Sequence, residues 1–237
     1  MSRVIQSLWV GGRLSAMEQL CIRSFQAHGH EFVLYVYEDT DGVPSGTVVM
    51  DANRILPMSR IFMYREHRTY AGFANFFRYK LLLEKGGWFV DADMVCLRPF
   101  DFEDDYVFSS EGLDGRQVVN VGAVKAPAGS AILQYAWTAC EQMDTASLKW
   151  SECGPRLFGR AVEAHALQRH VQPWPVFCPI HFSAWRRVLE PSAPLQFPPE
   201  THAIHLWNEL WRRSGQDKDA RYDAACVYEQ LKQRYLA

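Results

Sequence analysis

The stretch from Asn75 to Asp93 constrains this chain more than any other. Phe76 or Phe77, Leu81, and Leu83 or Glu84 recur about a helical turn apart, and Gly86 or Gly87 supplies the backbone freedom a helix C-terminus needs. The period then changes. Trp88, Phe89 and Val90 predict a short buried strand, and two carboxylates, Asp91 and Asp93, arrive where it ends. Ligands of open α/β sheets collect at the carboxyl ends of strands, so these acids stand where chemistry is done. An Asp-rich turn closing a loop is the simpler alternative.

The chain before this stretch predicts a sheet to hold it. Val4 to Val10 reads as a first strand ending at Gly11-Gly12. Ser15 and Glu18 form a capping box opening a helix whose apolar side includes Leu20, Ile22 and Phe25 and which ends near His28. Phe32 to Tyr37 is a second strand, and this order predicts a parallel βαβ unit, the start of a nucleotide-binding sheet. Val43 to Met50 reads as a loop leading to an edge segment. Asp51 to Tyr70 mixes Arg54, Arg60, Arg65, His67 and Arg68 with apolar residues and shows only a helical tendency.

After Asp93, strands are expected over Met94 to Leu97, Tyr106 to Ser109 and Val118 to Val124, with a Gly-rich turn over Glu111 to Arg116. Helices are expected from Gly129-Ser130 to about Met143, from Gly154-Pro155 to about Leu167, and from Ala220 to the end. Pro173 to Pro199, rich in Pro and aromatic residues, reads as an ordered surface loop.

With 237 residues, 48% of them hydrophobic, the chain can bury a full core as one domain. Its formal charge is -2, and Lys and Arg are scattered rather than blocked, which gives no nucleic-acid footprint. The cysteines, Cys21, Cys96, Cys140, Cys153, Cys178 and Cys226, include no Cys-x-x-Cys pair and are read as buried thiols. The start lacks the pattern of a signal peptide and no apolar run approaches the roughly 20 residues of a membrane span. A reducing cytoplasm is the expected location.

An Asp-x-Asp at a strand end can hold a hard divalent cation whose open positions take diphosphate oxygens. Alone the tripeptide is weak, but here an apolar strand and a Gly-Gly precede it, and Arg78 lies on the preceding helix. With aromatic residues on both sides, Arg78 is expected to be partly buried and to need an anionic partner.

Arg78, Gly86-Gly87, Trp88-Phe89-Val90 and Asp91-Ala92-Asp93 together resemble the core signature of glycosyltransferases with a DXD-containing sugar-binding region. These are the family 32 type, related to yeast mannosyltransferases, animal α-1,4-glycosyltransferases and the glucosylating clostridial toxins. The opening Gln6-Ser7-Leu8-Trp9-Val10-Gly11 and the closing His205-Leu206-Trp207-Asn208-Glu209-Leu210-Trp211 are similar to that group's terminal motifs. The resemblance implies a GT-A nucleotide-sugar-binding fold, α/β with a mixed, mainly parallel sheet flanked by helices. It also implies a UDP-sugar donor, a divalent cation (Mn2+ or Mg2+) and transfer with retention of configuration.

Carried onto these positions, the resemblance implies that Trp9 stacks on the uracil and that Asp91 reaches the ribose, the donor sugar or the metal. Asp93 binds the metal, and Arg78 meets the donor sugar or diphosphate. His205 or Asn208 completes the metal or phosphate shell, and Trp207 or Trp211 covers the diphosphate. Trp9 as a strand core residue and His205 as a satisfied core histidine are the alternatives. Asn75 stands where many relatives have Asp, and Phe89 where many have Tyr; an amide still accepts a sugar hydroxyl but brings no charge. Asn120, Glu111 and Gln117 are candidates for sugar recognition. Residues 1–110 are expected to form the nucleotide-sugar and metal half, and 111–237 the acceptor half with a closing C-terminal loop.

The acceptor expected is a glycan or lipid-linked glycan under assembly at the inner membrane face, as in capsule or lipopolysaccharide synthesis. Trp174, Trp185, Arg186 and Arg187 are candidates to border that acceptor or a membrane surface. Protein glycosylation, as by the related toxins, is a second possibility. Two competing readings are a haloacid-dehalogenase-type phosphatase with Asp91 as nucleophile, for which Glu103-Asp104-Asp105 sits too close in sequence, and a silent nucleotide-sugar-binding module.

Overall fold

The computed structural model describes residues 4–191 and 197–237. The expected βαβ unit opens the chain: β1 (Val4–Leu8), α1 (Ala16–Ala27) and β2 (Glu31–Val36), followed by the edge strand β3 (Val48–Asp51). The capping box at Ser15 and Glu18 forms as read, with Glu18 Oε2 accepting from the Ser15 backbone at 2.7 Å. Strand β4 (Gly87–Val90) inserts beside β1, so β3, β2, β1 and β4 run parallel. Strands β6 (Val107–Leu113) and β7 (Arg116–Ala126) complete a six-stranded sheet in the order β3-β2-β1-β4-β7-β6, with β7 antiparallel to both neighbours. This is the mixed, mainly parallel α/β arrangement that was expected.

Alternation along the parallel strands divides the core in two. Ile5, Phe32, Leu34, Trp88 and Val90 face α1 with Cys21, Ile22 and Phe25. Leu8, Val33, Tyr35 and Phe89 face α2 (Ala71–Lys85), α3 (Ala131–Glu141) and α4 (Pro155–Ala164). A third cluster joins Met17 and Leu20 of α1 to Val95, Ile204, Trp211 and Tyr228. There β5 (Met94–Cys96) pairs antiparallel with β8 (Ala203–His205) as a separate ribbon, followed by α5 (Asn208–Arg213) and α6 (Val227–Tyr235). All six cysteines are free and buried, as read.

Several expectations change. The turn expected over 111–116 is narrower: Glu111–Leu113 finishes β6, and Asp114 and Gly115 alone, with φ of 49° and 74°, make a two-residue hairpin loop. Asp-Gly is a residue pair that such a loop favours. The helix expected from Ala220 begins at Val227. The helical tendency over 51–70 amounts to two single 3-10 turns, Ala52–Arg54 and Met58–Arg60. The stretch 173–199 is not all surface, since Phe177, Cys178 and Trp185 are buried; its residues 192–196 lie outside those described. No helix of the described residues is long and apolar enough to cross a membrane.

Candidate active site

Helix α2 is buried on nearly every side, and its end explains the double glycine. Gly86 has φ of 63°, its N–H bonds the Leu82 carbonyl at 2.8 Å, and a Cβ there would stand 2.4 Å from the Ala128 nitrogen. Only glycine fits, and the chain turns straight from α2 into β4. That turn sets Arg78 against the end of β4. Its guanidinium lies over the Phe89 ring, 4.7 Å from the centroid, and its two terminal nitrogens donate to Asn75 Oδ1 and Asp91 Oδ1. Arg78 is 1% exposed, so Asp91 is the anion that its burial requires. Asn75 is fitted in turn: a Cβ on Gly154 would lie 2.7 Å from its Nδ2. Gly154 therefore serves both as the cap before Pro155 and as space for Asn75.

The β5-β8 ribbon brings the C-terminal motif to the acid pair. Met94 registers with His205, the Leu206 N–H donates to the Asp93 carbonyl at 3.0 Å, and the Asn208 N–H donates to Asp93 Oδ2 at 2.7 Å. His205 Nε2 lies 3.3 Å from Asp93 Oδ1. Asp91, Asp93 and His205 thus each offer a ligand atom, all within 4.8 Å of one another. Asn208 Oδ1 is buried with no hydrogen-bond partner among the described residues.

The remaining candidates divide. Trp207 is at the site, stacked on His205 with centroids 3.9 Å apart and held by its Nε1–H on the Ile180 carbonyl. Its φ of 59° is an uncommon left-handed conformation for so bulky a residue. Trp211 is not at the site: it is fully buried, donates to the Leu206 carbonyl and packs on Trp185 and Tyr228, so it has no face to offer a diphosphate. Trp9 lies past the end of β1, its N–H on the Tyr35 carbonyl of β2 at 2.9 Å, half-buried, with Lys218 Nζ 5.5 Å from its ring centroid.

Asn120 joins the cluster. Its Oδ1 accepts from the Gly122 N–H at 2.7 Å, and a Cβ on Gly122 would meet both that oxygen and the His205 ring. Glu111 lies close to Asn120 and within electrostatic reach of His205 and His181. Gln117 turns away, donating to the Gln172 carbonyl at 3.1 Å.

Reading the residues missed three parts of this site. Gly122 makes room for Asn120 and His205. Cys178 Sγ lies 3.9 Å from His205 Nδ1. Lys218 pairs with buried Glu18 at 2.5 Å and Asp219 accepts the Ala16 N–H at 2.7 Å, which fixes the C-terminal strap to the first turn of α1. No local pattern around Cys178 or Lys218 marks either contact.

Burial works against the charge of His205, but the facing Asp93 carboxylate and the contact with Cys178 hold its pKa well above the ordinary imidazole value. Burial likewise opposes the charge on Asp93, and His205 with the Asn208 N–H brings its carboxyl below the ordinary range. Burial raises Asp91, with Arg78 pulling the other way.

Two carboxylates, an imidazole and an orphaned amide oxygen suit a divalent cation. Such an ion must displace the His205 proton, because only the free ring nitrogen can ligate. Its apparent affinity is therefore expected to rise with pH, by up to about tenfold per unit, from the ordinary imidazole range until the raised pKa of His205 is passed. Mn2+ titrations across that range check this, and a flat profile would remove His205 from the ligand set.

Residues 18–111 match the family model described as glycosyltransferase sugar-binding region containing DXD motif. That match ends at Glu111 and takes in α1, α2 and the Asp-x-Asp, so the suspected resemblance to DXD glycosyltransferases is borne out. Among solved structures the chain is similar to the PaToxG glycosyltransferase, with a TM-score of 0.54 at 13% identity over 69% of each chain. At that identity the likeness is one of fold. A transferase structure also aligns, over 76% of this chain and 90% of its own, at 11% identity and a TM-score of 0.47. The curated proteins contain no match.

Proposed function

We propose, from the DXD sugar-binding region carried by residues 18–111, that this protein is a metal-dependent glycosyltransferase. It would move a hexose or N-acetylhexosamine from a UDP-sugar to a glycan acceptor with retention of configuration. The observation that carries the reading is the meeting of Asp91, Asp93 and His205 at the end of β4, with buried Arg78 on Asp91. In this reading residues 1–110 serve the donor and metal, and 111–237 the acceptor and the closing loop. The acceptor would be a glycan or lipid-linked glycan of cell-surface polysaccharide synthesis, met on the cytoplasmic side.

Asp91, Asp93, His205 and the Asn208 amide oxygen would hold the cation. When bound, the ion neutralises charge growing on the departing diphosphate. The protein's own groups do the rest. Arg78 fixes Asp91 through one nitrogen and Asn75 through another, so both side chains keep one orientation toward the donor sugar. Trp207, locked over His205, closes one wall against water. Asn120 and Glu111 lie close enough to the cluster to bind sugar hydroxyls. The acceptor hydroxyl would attack on the face from which the diphosphate leaves, its proton passing to the leaving phosphate.

The phosphatase reading finds no support in the acid run it would need. Lys125, in register with Trp88 near the start of β4, holds the carbonyls of Phe102 and Asp104, toward the opposite end of that strand from Asp91.

The test is release of UDP from UDP-glucose, UDP-galactose and UDP-N-acetylglucosamine with Mn2+ and with EDTA, with the anomeric proton of any product followed by NMR. Metal-dependent release with retained configuration supports the proposal. Release untouched by EDTA contradicts the metal role, and an inverted product contradicts the stereochemistry. Trp9→Ala is expected to weaken UDP binding by about 5- to 150-fold, the range for loss of one base-aromatic stack, with turnover at saturation little changed. Unchanged affinity would return Trp9 to a purely structural part.

A further inference from the structure

The chain between β3 and α2 is not used by the chemistry above, yet its surface is unusual. Residues 52–70 hold four arginines and one glutamate in a chain whose formal charge is -2. Arg54, Arg60, Arg65 and Arg68 are all exposed, and none is in an ion pair among the described residues. Between them stand large apolar side chains in water: Met58 is 49% exposed, Met63 40% and Tyr70 39%. Trp150, 37% exposed, extends the patch by contact with Tyr64 and His67, and Arg213 lies over its ring at 4.4 Å.

The segment is not loosely attached. Ile55, Leu56 and Tyr64 are buried, and Phe62 packs edge-on against Phe76 at 5.0 Å. Its anchors also place it beside the catalytic cluster. Arg212 of α5 donates to the His67 carbonyl, the Tyr64 hydroxyl lies 3.0 Å from Cys153 Sγ, and Cys153 contacts Asn75.

We propose that this face docks on an anionic lipid bilayer, with the arginines among the headgroups and Met58, Met63, Tyr70 and Trp150 entering the interface. Charge alone would suit any polyanion. Large apolar side chains set among arginines, whose apolar stems can lie along the interface while their heads stay wet, suit a medium that takes up both. Tryptophan and tyrosine favour that boundary. Of the residues expected from sequence to border a membrane, Trp185 is buried on Trp211 with Arg186 over its ring, whereas Trp174, 41% exposed, and Arg186 and Arg187 stand at the surface. The purpose of the docking, to hold the site against a layer that presents a lipid-linked acceptor, rests on the glycosyltransferase reading; the docking itself does not.

The experiment is co-sedimentation of the full chain with vesicles of phosphatidylcholine alone and with about 30% phosphatidylglycerol, at low and high salt. Binding is expected only to the anionic vesicles and to fall with salt. Removing two charges in Arg60→Gln/Arg65→Gln is expected to weaken partitioning about 25-fold, at about fivefold per residue. Met58→Ser/Met63→Ser is expected to weaken it at an unchanged salt dependence. Both variants should keep metal-dependent UDP binding, which shows that they are folded.

Absence of binding to anionic vesicles would overturn the proposal. So would equal binding of wild type and the Met58→Ser/Met63→Ser variant to vesicles and to soluble polyglutamate, which would mark a site for acidic protein. Vesicle binding by a chain that binds no nucleotide would leave the docking standing and sink the glycosyltransferase reading instead.

Discussion

Asp93→Ala is expected to lower turnover more than about 1,000-fold, which corresponds to about 4 kcal/mol of lost transition-state stabilisation. Asp93 is 7% exposed and faces His205 and the Asn208 N–H, so its removal strips the cluster of one ligand and of the group that orients two others. The fold should survive. Leaving the Asn208 N–H and the His205 ring without their partner costs about 1–3 kcal/mol each, and the ring can shed its proton, so the loss stays a fraction of a domain's stability. Asp93→Asn separates charge from shape, because an amide oxygen still accepts from Asn208 but carries no charge. Both variants are expected to be inactive, with Asp93→Asn melting closer to wild type. Full activity in either would show that Asp93 does not hold the metal.

Arg78→Ala is expected to be costly in both activity and stability. The guanidinium is 1% exposed and is shared between Asn75 and Asp91, so deleting it leaves the Asp91 carboxylate without its cation. Breaking a buried pair from one side costs about 3–5 kcal/mol. At 2–4 °C per kcal/mol for a chain of this size, the melting temperature should fall by about 10 °C. Arg78→Lys restores charge but not the fork, and a single ammonium on a flexible stem cannot reproduce two contacts fixed by one planar group. It should recover part of the melting temperature while turnover stays low. If Arg78→Ala melted like wild type, the ion pair to Asp91 would not be a structural element of the site.

Much of this site was legible because its parts are local. Helix, Gly-Gly, apolar strand and Asp-x-Asp follow one another without interruption, and each step has a short-range cause: the period of the helix, the left-handed glycine, and the change to a period of two. The capping box at Ser15 is similarly self-contained. What was not legible depends on pairing across the chain. Nothing near Met94 states that β5 leaves the main sheet to pair with β8, yet that ribbon sets His205 on Asp93.

The two tryptophans of the closing motif illustrate the same limit. Both suit a role over a diphosphate by residue type, but α5 turns Trp211 into the third core cluster and leaves Trp207 stacked on His205. The late start of α6 has a tertiary cause as well: Cys226 pairs with Pro191 as a β-bridge, and the Ala220 carbonyl and Tyr222 N–H are taken by the side chains of Lys232 and Glu229. The hairpin loop at Asp114-Gly115, by contrast, carried a readable signal that the wider glycine-rich run around it obscured.

On the proposed function, the cluster of Asp91, Asp93 and His205 binds a nucleoside diphosphate through a divalent cation. Calorimetric titration with UDP in Mn2+, repeated in EDTA, tests it most directly. Saturable binding is expected with Mn2+, lost in EDTA and lost in Asp93→Ala. Binding of equal strength with and without the metal, or no binding of UDP or GDP under either condition, would contradict it.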